Sequence, residues 1–166
     1  MLKKMASVLV VAVLAGGMLV GCQGEQKVEE NNAQTSNHAA AEPVAIKSKT
    51  HGSDKAMNET GVTLVKSDEE WDALGMQGDK PNFNEESVVV LSLGEVPTGG
   101  YWARITGVQQ VGDVLYVQGI VNQPGSEEVV TEAIEYPYCV AVIEKVDAND
   151  VQYDVQEVSG QQPAAE

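Results

Sequence analysis

The 166-residue chain carries 25 acidic against 10 basic side chains and a net charge of −15 at pH 7. Such a surface repels nucleic acid and anionic lipid headgroups, so neither is expected as a partner. Two cysteines and two histidines leave little from which to build a zinc site or a thiol nucleophile, and no cofactor is expected.

At the start of the chain, Lys3 and Lys4 precede an apolar run from Met5 to Leu14 broken only by Ser7, and Gly16-Gly17 follows. That order is an export signal, assigned to residues 1–21. Leu19-Val20-Gly21-Cys22 then reads as a lipobox, in which the small Gly21 suits the signal peptidase and the Cys22 thiol takes a diacylglyceryl group. The apolar stretch barely reaches the length of a membrane span and contains two glycines, which disfavours a transmembrane anchor. Two or more acyl chains, palmitate among them, would anchor the protein stably. Gln23 in place of Asp after the cysteine points, in a Gram-negative cell, to the periplasmic face of the outer membrane.

Residues 22–59 are rich in Glu, Gln, Asn, Ala, Ser and Lys and show no hydrophobic period, so they read as a disordered tether. His38 and His51 both fall in it, which leaves the expected domain, residues 60–158, without histidine. With Cys22 acylated, Cys139 has no intrachain disulfide partner and reads as a small core residue. Residues 159–166 read as a disordered tail.

Within the domain, Ser67-Asp68-Glu69-Glu70 has the form of a capping box with Ser67 as N-cap, and Trp71 and Leu74 lie one helical turn apart before Gly75. Val88–Leu91 is a continuous apolar run that suits a strand covered on both faces. From Tyr101 to Thr106 the pattern alternates: Tyr101, Ala103 and Ile105 form the apolar set, and Trp102 and Arg104 mark the wet face. Gly112-Asp113 predicts a two-residue hairpin, and Pro124-Gly125 a turn with the glycine at positive φ. Val129–Ile134 and Tyr138–Ile143 are expected as strands on either side of Pro137, and Val151, Tyr153 and Val155 as one face of a closing strand. The fold class is therefore all-β: an immunoglobulin-like β-sandwich or small barrel of six to seven strands with one short helix at its N-terminal margin.

No activated nucleophile or metal-ligand set stands out, so the domain reads as a non-catalytic binding module. Its most unusual stretch is Pro97-Thr98-Gly99-Gly100-Tyr101-Trp102. Two consecutive glycines allow a sharp turn, and a tryptophan at the base of a loop is a frequent contact residue. Pro124-Gly125, within Gln123–Ser126, and Tyr136-Pro137-Tyr138 join it as candidate partner-binding residues if these turns share one end of the fold.

Glu70-Trp71, Phe83, the Val88–Leu91 strand, Leu93-Gly94-Glu95 with Pro97–Tyr101, and Tyr136-Pro137-Tyr138 together resemble the C-terminal domain family of the protease complex subunit PrcB. The resemblance runs from about Leu64 to Lys145. It implies an exported protein or lipoprotein that supports a protease complex without being the protease. A looser similarity, carried by the same loop, is to chagasin-like cysteine-protease inhibitors, which are immunoglobulin-like sandwiches. Gly99 and Val96 depart from that pattern, in which a second Thr and an Asn stand. The reading is thus a membrane-anchored lipoprotein that binds an envelope protein, a protease or protease complex being the implied partner. Inhibition by loop insertion and a purely structural envelope role are the alternatives.

Overall fold

The structure is a computed structural model that describes residues 41–76 and 79–162. The export signal, Cys22, His38, most of the tether and residues 163–166 lie outside the described residues. Eight strands follow in chain order: β1 (Glu42–Pro43), β2 (Ile46–Ser53), β3 (Thr60–Val65), β4 (Glu86–Leu93), β5 (Trp102–Val111), β6 (Val114–Gln123), β7 (Pro137–Glu144) and β8 (Asp150–Ser159). One short helix, α1 (Asp68–Ala73), lies between β3 and β4. The strands form two four-stranded sheets, ordered β1-β5-β6-β8 and β2-β7-β4-β3, so the fold is a sandwich and not a closed barrel. Neighbours are antiparallel except β6 and β8, which run parallel.

The apolar run in β4 is covered on both faces, as its sequence requires. Val89 and Leu91 point into the layer between the sheets with Ala103, Ile105, Leu115 and Ile143. Val88 and Val90 point outward and are covered by Met57, Val65 and Trp71. Full burial of a Val, Leu or Ile side chain contributes roughly 1.5–3 kcal/mol, so these two layers hold the fold. Helix α1 exists to deliver Trp71, which meets Phe83 with ring centroids 6.3 Å apart. Ser67 Oγ caps it by accepting from Glu70 N, while Glu70 Oε2 accepts from Lys66 N, one residue earlier than a capping box requires.

The expected hairpin is present, with Val111 paired to Val114 across Gly112-Asp113. Four expectations need correction. Residues 42–53, read as tether, form β1 and β2, and β2 pairs along its length with β7. An edge strand borrows its ladder from one neighbour and buries few side chains, here Ile46, Lys49 and Gly52 in part, so no apolar period announces it. Val129–Ile134 is loop: Val129 and Ile134 are exposed and not packed into either layer of the core. The Pro124-Gly125 turn begins at Gly125, whose carbonyl accepts from Glu128 N, so the central positions fall to Ser126 and Glu127. The tail, finally, does not begin free: β8 reaches Ser159 and Gln161 is hydrogen-bonded back to the fold.

Candidate functional site

The loop joining β4 to β5, the loop joining β6 to β7, and the chain leaving β8 gather at one end of the sandwich. Val96 and Glu135 exchange a pair of backbone hydrogen bonds, 2.9 and 3.0 Å, and Gly99 N donates to Thr131 O at 3.0 Å. Both glycines of the Pro97–Tyr101 loop are dictated by this contact. Gly99 is buried, and a Cβ there would collide with Thr131 Oγ1. Gly100 has φ +87°, the left-handed region, and its position against Pro124 and Val130 leaves 3.0 Å for a side-chain carbon.

Trp102 and Asn122 are direct partners in the β5–β6 ladder, so their side chains share the outer face of that sheet. Arg104, two residues on, lies with its guanidinium 5.3 Å from the Trp102 ring centroid. After β8 the chain turns at Gly160 and crosses this same face. Asn122 Oδ1 accepts from Gln161 N at 3.0 Å, Asn122 Nδ2 donates to Gly100 O at 3.2 Å, and Trp102 Nε1 donates to Gln161 O at 3.0 Å. Trp102 is therefore half-buried, and its cover is the C-terminal segment. A groove of about 680 Å³ remains between Trp102 and residues 128–131.

The candidate residues thus divide. Pro97, Thr98, Gly100, Tyr101, Trp102, Pro124 and Gly125 come together at this end, with Pro124 against Gly100. Tyr136 is there too, and its hydroxyl donates to Glu95 Oε2 at 2.8 Å, which with burial raises the phenol pKa. Gly99 and Pro137 are buried and offer no side-chain surface. Tyr138 turns the other way, onto the Trp71 layer, with its pKa raised by burial and by Asp54. A Cβ on Gly52 would lie 2.5 Å from its hydroxyl oxygen.

Three features escaped sequence reasoning. Asn122 is 1% exposed although it stands on the outward parity of β6, and its partners are 22 and 39 residues away, beyond any local pattern. Tyr153 shares the parity of Val151 and Val155 but is 55% exposed, because it borders a cleft of about 540 Å³ where β3 and β8 part, lined also by Leu93, Tyr101 and Val121. His51 belongs to the fold after all: it is the β2 residue opposite Cys139, on the same face of the sheet. The domain therefore does hold a histidine, in register with Cys139, whose side chain is fully buried. Among the described residues no cluster of His, Cys, Asp and Glu is arranged to hold a metal ion, and no helix is long and apolar enough to cross a membrane.

Both loops that build this end lie within the stretch matched by one family model. Residues 87–144 match the PrcB C-terminal family. The PrcB C-terminal match begins in β4 and ends with β7, so it takes in Trp102, Asn122 and Tyr136. It leaves out β1 to β3, α1 and β8, and with β8 the Gln161 that covers Trp102. No curated protein and no solved structure matches the chain.

Proposed function

We propose that this chain is a lipoprotein, anchored through Cys22 to the cell envelope, whose β-sandwich associates with a protease or protease complex there and supplies no catalytic group itself. The observation that carries this reading is the extent of the PrcB C-terminal match, which covers the two loops that meet at one end of the fold. At that end Val129 and Ile134 are exposed apolar side chains on a loop already held in place by Val96 and Gly99. Exposed apolar residues on a braced loop are what a protein partner covers. Insertion of the glycine loop into a protease cleft fits less well, because Gly99 lies beneath Thr131 and the tip does not stand clear.

The test uses the full chain with an affinity tag inserted after Glu25, expressed in its own cells. Purification from detergent-solubilised membranes is expected to recover a stoichiometric envelope protein from the unaltered chain, and about tenfold less from Val129→Asp/Ile134→Asp, whose side chains are too exposed to matter for folding. Cys22→Ser is expected to move the chain to the soluble fraction. Unchanged recovery from the double variant would remove the loop end from the proposal.

A further inference from the structure

Gln161 is held in a way that depends on its backbone alone. Its N–H is taken by Asn122 Oδ1 and its carbonyl by Trp102 Nε1, and its own side chain is exposed. Reading both polar groups of one residue with two side chains is how a groove holds an extended segment independently of its sequence. Asn122 can do so because its other end is fixed: Nδ2 is committed to Gly100 O, so the carboxamide orientation is set by the glycine loop. The groove continues past Gln161 between Trp102 and residues 128–131. Glu128 is the carboxylate that lines it. The loop that carries Glu128, residues 124 to 136, adds Glu127, Glu132 and Glu135 and neither lysine nor arginine, while Arg104 lies over the Trp102 ring. The covering segment lies outside the PrcB C-terminal match, whereas both reading side chains lie inside it.

We propose that the Asn122–Trp102 groove is a binding site for an extended, basic peptide segment of the partner, and that this chain's own Gly160–Gln162 occupies it in cis until the partner displaces it. The inference rests on the loop end being the contact surface and adds what is bound there. The partner's backbone takes the place of Gln161, and a Lys or Arg side chain beside it faces Glu128 in the groove lining. Because the resident segment competes, the site binds in trans only in the fraction of molecules in which that segment has left.

The experiment measures fluorescence anisotropy of two labelled heptapeptides, Ser-Gly-Gln-Lys-Pro-Lys-Lys and Ser-Gly-Gln-Glu-Pro-Glu-Glu, against the full chain. Gln161→Pro removes the N–H that Asn122 accepts and is expected to raise affinity for the basic peptide about tenfold over the unaltered chain. A chain ending at Ser159 is expected to do the same by a different route. In either background the acidic peptide is expected to bind about tenfold more weakly, and Trp102→Phe, which keeps the ring and loses the donor, to weaken the basic peptide about fivefold. Equal affinity of the unaltered and Gln161→Pro chains, no preference for the basic peptide, or indifference to Trp102→Phe overturns the groove. If any of these occurs while the Val129/Ile134 variant still loses the envelope partner, the groove falls and the loop-end reading stands. Peptide binding that behaves as expected beside unchanged partner recovery supports the groove and overturns the loop-end reading instead.

Discussion

The two ends of the sandwich use polar groups to opposite effect. At the end that carries the β5–β6 hairpin, lysines are committed to the backbone of neighbouring turns. Lys145 Nζ donates to Phe83 O and Lys66 O, and Lys66 Nζ to Ala148 O and Asn149 Oδ1. Asn149 in turn donates to Asp113, so this end is stitched shut by donors that find carbonyls within the fold. At the other end the acidic residues of the long β6–β7 loop face solvent, and the two side chains that read backbone, Asn122 and Trp102, hold a segment that lies over the sheet and not within it. The difference teaches where to look for a partner: a closed end has used its hydrogen-bonding groups, whereas the loop end holds one strand-like segment by bonds that another segment can make equally well.

That contrast can be broken by mutation. Asn122→Leu should have the largest effect, because it leaves Gly100 O and Gln161 N without their buried partner; a loss of about 3 kcal/mol in urea unfolding is expected, with faster amide exchange at Gln161. Lys145→Met should cost less, about 1 kcal/mol, since the carbonyls it leaves lie near water, and it should leave partner recovery unchanged. A larger loss at Lys145 than at Asn122 would reverse the assignment of the two ends. The smallest effect is expected from the Tyr136–Glu95 pair. The phenol's pKa in the folded chain is raised above 10.0, chiefly by its hydrogen bond to the Glu95 carboxylate. Its contribution to stability is therefore complete below pH 10 and lost as the pH rises through the folded value. Ultraviolet titration of tyrosinate should show Tyr136 and Tyr138 ionising late, and in Glu95→Gln the Tyr136 component alone returning toward the ordinary range. A titration unaltered by that substitution would mean that the bond does not persist in solution.

Legibility in the sequence followed the range of the interaction. Where side chains alternate or cap locally, the sequence was explicit: the two-faced burial of Val88–Leu91, the hairpin at Gly112-Asp113 and the Ser67 cap all depend on residues within a few positions of one another. Where backbone ladders or distant partners decide, it was silent. Nothing local distinguishes β2 from a polar tether, because its order comes from β7, some 90 positions later in the chain: Thr50 pairs with Val140. The apolar content of Val129–Ile134 misled for the converse reason, since those side chains are displayed and not packed. The parity of Trp102 beside Arg104 places both on the outer face of the sheet, but Asn122 and Gln161, which hydrogen-bond across that face, come into view only when β5, β6 and β8 are side by side.

The short strand β1 fixes a polarity for the molecule. Glu42 pairs with Gln110, near the hairpin, while Trp102 begins the same strand β5 at the far end. Eight residues of strand separate them, about 27 Å at the rise of an extended chain. The described chain thus enters the sandwich at the stitched end, and the acidic loops stand at the opposite pole of the same sheet. A partner that covers the acidic loops therefore leaves the β1 end of the sandwich, where the described chain begins, uncovered.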